Sequence, residues 1–212
     1  SAAYGSQFSV AASASSALTV AVTTTGSRIN VGNLVTMTSG TGSCVVKYNQ
    51  AGNASYNAAP EVTNTVTALK KTASVTADAS TKVFGAVDPV FTGSLLGFLV
   101  GDGVSASYSR TAGESVAGSP YIISAVLTPV PVLATYDVTY NTANFDITTA
   151  SQTITFGALG GKTFGDADFS VTATSDSSLP VSFSTVSPAC SVTSGGLVSV
   201  LAAGSCTITA SQ

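Results

Sequence analysis

Histidine and tryptophan do not occur in this chain, methionine occurs once, and only 8% of its residues are charged. Each shortage removes a class of chemistry. Without histidine there is no serine–histidine triad, and no other nucleophile–base pair is spelled out. Three cysteines cannot supply the four ligands of a structural zinc site. Seven lysines and arginines against ten aspartates and glutamates leave a formal net charge of -3, so no basic patch is available for a phosphate backbone. No apolar run reaches the ~18 residues that a membrane-spanning helix needs. The chain does not open on a charged-then-apolar leader; if the protein is exported, its signal is expected upstream or already removed. No stretch keeps a helical period, which also removes the glycine-rich phosphate loop that precedes a helix. The composition points away from an enzyme, and no cofactor is expected.

What the chain does have is apolar material, 44% of its residues, rich in Val, Ile, Thr, Tyr and Phe. Disordered segments are poor in these. It also has an internal repeat. Tyr4-Gly5-Ser6-Gln7-Phe8-Ser9-Val10 returns, one residue longer, as Phe164-Gly165-Asp166-Ala167-Asp168-Phe169-Ser170-Val171. Gly42-Ser43-Cys44-Val45-Val46 returns as Gly204-Ser205-Cys206-Thr207-Ile208. A constant offset of this size is the signature of a modular array. The second copy has Ser151–Phe156 ahead of the shared phrase, which the first lacks; the first continues through Gln50–Leu69, which the second lacks. The expectation is one period of a longer alternating array. Three modules follow: residues 1–69 without an opening strand, residues 70–149, and residues 150–212 without a closing segment.

Short runs of period two between turn residues read as half-buried strands. In the first module these are Phe8–Ala11, Leu18–Val22 and Val62–Ala68, with Thr23–Ser27 and Thr38–Gly42 as turns. In the middle module they are Ala73–Ala77, Val90–Thr92, Val104–Tyr108, Tyr121–Val126, Tyr136–Tyr140 and Phe145–Ile147. Thr128-Pro129-Val130-Pro131 reads as extended and outside any central strand. In the last module they are Thr153–Phe156, Phe169–Thr174, a run around Val181 and Phe183, and Leu197–Val200. The fold class is all-β, small β-sandwich modules arranged end to end.

Cys206 alternates in phase with Ile208 and Ala210, and Cys190 with Val192. Both sulfurs are expected to face one interior and to form a disulfide across paired strands; two buried free thiols are the alternative. In the first copy the counterpart of Cys190 falls near Ser27 or Arg28, so Cys44 is expected as a lone buried thiol, or else as half of an intermolecular bond. Asp166 and Asp168 are the one Asp-x-Asp pair. Hard oxygens at a turn suit calcium, but calcium takes about six to eight of them; the other reading is a solvated turn in which the Asp side chains accept from local amides. Lys47, Lys82 and Lys162 are candidates for an internal lysine–asparagine crosslink. Asn53-Ala54-Ser55 matches a glycosylation sequon. Lys70-Lys71 marks a junction. Tyr4, Tyr48, Tyr56, Tyr108 and Tyr121 would offer stacking faces to a glycan if exposed.

Phe84-Gly85-Ala86-Val87-Asp88-Pro89-Val90-Phe91, then Leu99-Val100-Gly101-Asp102, then Tyr108-Ser109-Arg110-Thr111-Ala112-Gly113-Glu114, resembles the YGX-type MBG repeat, with Phe84 where that repeat usually has Tyr. The outer modules resemble the small cysteine-bearing Ig-like repeats that accompany it in large bacterial surface proteins. The resemblance implies a secreted or cell-surface location and a structural role as spacer, stalk or filament subunit. Its neighbours would be other repeats of the chain or identical protomers, head to tail. The alternative is an adhesin that binds glycan or a surface protein. The family offers no catalytic residues to carry over.

Overall fold

The computed structural model describes all 212 residues and divides into two compact units, Ser1–Thr149 and Ala150–Gln212. It is all-β, with two single helical turns. Buried apolar side chains form three separate clusters, two in the first unit and one in the second.

The first cluster belongs to β1 (Ala2–Ala3), β2 (Gln7–Ser9), β3 (Ala21–Gly26), β4 (Arg28–Val31), β5 (Leu34–Met37), β6 (Ser43–Asn49) and β7 (Val62–Leu69). Two sheets, ordered β2-β5-β4 and β1-β7-β6-β3, close on Val10, Val35, Met37, Cys44, Val46 and Ala68. One sheet contributes Val35 and Met37; the other contributes Cys44, Val46 and Ala68. Alternate residues point inward because successive side chains of a strand take opposite faces. Thr23–Ser27, expected as a turn, is mostly strand. Thr24 is buried and its hydroxyl donates to the Asn30 side chain at 3.0 Å. Threonine's β-branched side chain suits the pleat once a partner ladder exists, and β6 supplies that ladder from Ala21 to Gly26.

The second cluster lies among β8 (Lys71–Ala77), β9 (Ser80–Val83), β10 (Gly93–Leu96), β11 (Ser105–Arg110), β12 (Tyr121–Thr128), β13 (Tyr136–Asn141) and β14 (Ala143–Thr148). Its sheets run β10-β8-β13 and β11-β12-β14-β9. Ala77, Ile123, Phe145 and Ile147 form the centre, and Phe91 meets Phe145 edge-on at 5.3 Å. Two segments depart from expectation. Val90–Thr92 is not a strand; the ladder starts at Gly93, where a side chain would strike the Thr76 carbonyl at 2.3 Å. Val130–Leu133 is a helical turn, α1, after an extended Pro129. Proline is tolerated in the first turn of a helix, where its missing N–H is not needed.

The second unit contains β15 (Ile154–Phe156), β16 (Phe169–Ser170), β17 (Ala173–Ser175), β18 (Ser182–Ser184), β19 (Cys190–Val192), β20 (Leu197–Val200) and β21 (Thr209–Ser211). Its sheets are β15-β17, β16-β20-β19 and β18-β21. They enclose Val171, Phe183, Cys190 and Val198. The expected strand Phe169–Thr174 is split: β16 pairs with β20, and β17 turns to pair with β15.

Candidate functional site

The residues singled out from sequence do not converge on one place. The disulfide joins Cys190 to Cys206, with Cα atoms 5.7 Å apart. It does not cross a pair of ladder-bonded strands as expected. Cys190 is buried in β19, which pairs only with β20, whereas Cys206 is exposed and precedes β21. The bridge ties a core strand to an outer loop. Cys44 is a free thiol, fully buried. Burial pushes its pKa up, with the Arg28 charge opposing. Asp166 accepts from the Thr163 amide at 2.9 Å, which fixes a turn, and no third acidic, cysteine or histidine side chain joins it and Asp168. Of the tyrosines considered for stacking, Tyr4, Tyr48, Tyr108 and Tyr121 are half-buried and Tyr56 is exposed. Lys47 pairs with Glu61 at 2.9 Å on the surface, and Lys162 lies 4.8 Å from the Phe169 ring centre.

Lys82 stands in a different setting. Its side chain is 5% exposed, and its Nζ donates to Asp88 Oδ1 at 2.7 Å and to Glu114 Oε2. Arg110, 7% exposed, donates to both Asp88 oxygens at 2.7 and 3.0 Å and to Glu114 Oε1. Its guanidinium lies over Phe145 at 4.9 Å and Tyr121 at 5.3 Å. Two cations and two carboxylates thus close a neutral ring over the apolar centre of the middle module. The bonds from Arg110 and then Lys82 hold Asp88 down at about 2, and those from Lys82 and Arg110 also lower Glu114. Bonds from Asp88 and Glu114 raise Lys82 above its ordinary 10.5. The Lys82 amine bonds two carboxylates and no asparagine side chain, so the geometry makes Lys82–Asp88 an ionic clamp. The sequence reading named Lys82 only as a crosslink candidate and did not anticipate this ring. A signal was present: Arg110 is in phase with Ala106 and Tyr108 on the inward side of β11, and an inward arginine demands partners.

A second polar knot lies inside the first unit, between its N-terminal stretch and the strands of the second apolar cluster. The Tyr4 hydroxyl donates to Asp102 Oδ1 at 2.9 Å, the Tyr136 hydroxyl donates to Asp102 Oδ2, and the Leu99 amide donates to the Tyr136 oxygen at 2.9 Å. The two rings meet edge-on with centroids 5.5 Å apart. Burial first, and the Asp102 carboxylate second, push Tyr136 up to about 12. Gly5, at φ 76°, lets Leu99 approach; a Cβ there would meet its Cδ1 at 2.6 Å. These contacts tie residues 4–5 to the strands around the second apolar cluster within the first unit.

Two grooves indent the surface. One, about 500 Å³, lies in the first module between Ala11–Ser16 and the segment carrying Tyr56 and Pro60. The other, about 600 Å³, lies in the second unit and is lined by the half-buried Phe169, Val200 and Ile208.

Residues 73–146 match the family model of the MBG domain (YGX type). The middle of the chain is an MBG-type repeat. The matched span contains the whole Lys82–Asp88–Arg110–Glu114 ring together with Asp102 and Tyr136, so the polar residues of the MBG motifs are what cover its core and meet Tyr4. Both outer modules lie outside the match. No curated protein matches the chain. No helix is long and apolar enough to cross a membrane.

Proposed function

We propose that this chain is a structural tandem-repeat segment, a spacer, stalk or filament element of a large extracellular bacterial surface protein. Its three modules are residues 1–69, 70–149 and 150–212, and it serves by length and resistance to extension. Its partners are neighbouring repeats of the chain or identical protomers, head to tail. The observation that carries this reading is the pairing of the MBG-type repeat. The chain enters at β8 and leaves at β14. β13 lies parallel to β8 over six residue pairs, and β14 lies parallel to β9 over four. Tension applied at the two ends loads those ladders along the strands, so the hydrogen bonds bear it together. The disulfide supports an oxidising, extracellular setting. With Tyr56 alone exposed among the tyrosines considered, little ring surface is offered to a glycan.

Single-molecule pulling on the chain tests the proposal. The middle repeat is expected to open last and in one step, after the second unit with its strands of two to four residues. Opening of the middle repeat first, or in many small steps at low force, would count against a load-bearing role.

A further inference from the structure

An aromatic–glycine phrase occurs three times at a constant spacing of 80 residues: Tyr4-Gly5-Ser6, Phe84-Gly85-Ala86 and Phe164-Gly165-Asp166. Each copy makes the same turn. The amide of its third residue donates to the carbonyl just before the aromatic: Ser6 to Ala3 at 2.9 Å, Ala86 to Val83 at 3.0 Å, Asp166 to Thr163 at 3.1 Å. The three glycines share a positive φ, at 76°, 84° and 96°. The first two copies also finish a parallel ladder alike. The Tyr4 amide donates to the Leu69 carbonyl beyond β1 and β7, and the Phe84 amide to the Thr148 carbonyl beyond β9 and β14, both at 2.8 Å. The turn forms with either ring and needs no hydroxyl, so the hydroxyl of Tyr4 is free for another task.

The Tyr4 turn is seated against the MBG-type repeat. Asp102 accepts from Tyr4 on one oxygen and from Tyr136 on the other. Tyr136 is 2% exposed, with the Tyr4 ring at 5.5 Å and the Phe98 ring at 4.9 Å. Leu99 covers Gly5. Gly40, buried in the turn after β5, lies so near Thr135 that a Cβ would stand 2.6 Å from its carbonyl oxygen and 2.9 Å from its Cα. Two glycines far apart in sequence thus let the backbone close on Leu99 and Thr135. We infer that the face formed by Phe98, Leu99, Asp102, Thr135 and Tyr136 is a recognition site on the MBG-type repeat for a tyrosine–glycine turn, and that the tyrosine hydroxyl is what it selects. A phenylalanine–glycine turn of the same backbone shape, as at Phe84 and Phe164, brings no donor and would leave Asp102 Oδ1 without that bond in a half-buried place. A site built around an acceptor discriminates against a partner that lacks the matching hydroxyl. The assignment concerns contacts inside the first unit and does not rest on a load-bearing role.

Amide hydrogen exchange on the whole 212-residue chain tests it. Tyr4→Phe should speed exchange at Leu99 and Asp102 about fivefold, as the loss of one hydrogen bond requires, while the core amides of Val46 and Phe145 keep their rates. Asp102→Ala removes the acceptor, and on that background Tyr4→Phe should add less than about twofold, because the two changes delete one interaction. Gly40→Ala, a wedge against Thr135, should speed the same two amides about tenfold with the hydroxyl still present. Unchanged rates at Leu99 and Asp102 in Tyr4→Phe, or a full fivefold effect of Tyr4→Phe on the Asp102→Ala background, overturn the assignment. Should Asp102→Ala fail to fold, Gly40→Ala decides in its place, and unchanged rates there equally overturn it.

Discussion

In the first module Arg28 sits opposite Met37 and reaches toward Cys44; in the second unit Cys190 sits opposite Val200 and is bonded to Cys206. Arg28 and Cys44 are sixteen positions apart in sequence, the same separation as the bridged pair. One strand plan is therefore finished differently at the same two positions. The second unit has a covalent tie from core strand to loop. The first keeps a thiol buried beside an arginine whose Nε has no hydrogen-bond partner. The difference shows that the plan accommodates either a disulfide or a buried thiol and an arginine at this place.

The comparison can be broken most sharply at the disulfide. Cys206→Ser should destabilise the second unit by about 3 kcal/mol, the chain-entropy value for a loop of this size, and lower its melting midpoint by on the order of 15 °C. The first unit's transition should not move in the same calorimetric scan. The converse substitution, Arg28→Cys, should close a bridge to Cys44 and stabilise the first module by up to about 3 kcal/mol. Loss of the free thiol on denaturation under oxidising conditions reads this out, and a thiol that still titrates would show the two positions are not equivalent. Val35→Ala and Val198→Ala remove the same two methyl groups from matching buried sites, so each should cost about 2 kcal/mol in its own unit, measured by urea midpoint. Unequal costs would show that the two cores are packed differently despite their shared plan. Tyr4→Phe should cost about 1 kcal/mol through the lost bond to Asp102, while Phe164→Tyr should change nothing, because Phe164 is exposed.

The middle repeat provides the pH control. Asp88 is held below its ordinary 3.8 at about 2, so its ionised form favours the folded state. That contribution is complete above pH 4 and fades as the pH falls through about 2. Asp88→Asn should erase this acid-side loss of stability, followed by thermal midpoint between pH 5 and pH 2, without altering the acid response of the second unit. An unchanged slope in the variant would show that the ring does not set the acid limb.

Much of the architecture was legible. Period two found β8, β11 through β14, and β20, because in each of them apolar residues recur two apart on the more buried face. The repeated phrases located equivalent positions correctly, since Phe8 and Phe169 occupy the same place in the ladder. The errors have physical causes. Thr23–Gly26 resembles a turn in composition, yet the partner strand β6 supplies hydrogen bonds that no local pattern reveals. β9 was missed because its one buried residue is Lys82 while Val83 is exposed, the inverse of the usual alternation. That inversion is sensible only once Asp88 and Glu114, six and thirty-two positions away, are seen to meet it. The Tyr4–Asp102–Tyr136 knot depends on contacts ninety-eight and thirty-four positions apart, beyond any local spacing rule. The two cysteines were paired correctly by phase, but their setting was not, because Cys206 lies before β21 begins.

The ring in the middle repeat draws two of the chain's seven cations and two of its ten anions into one self-neutralised cluster. What remains outside is a hydroxyl-coated exterior with few charges spread along many strands. Such a surface projects little electric field beyond the ~8 Å that physiological salt already screens. Its solubility should accordingly change little as salt is raised above the physiological level.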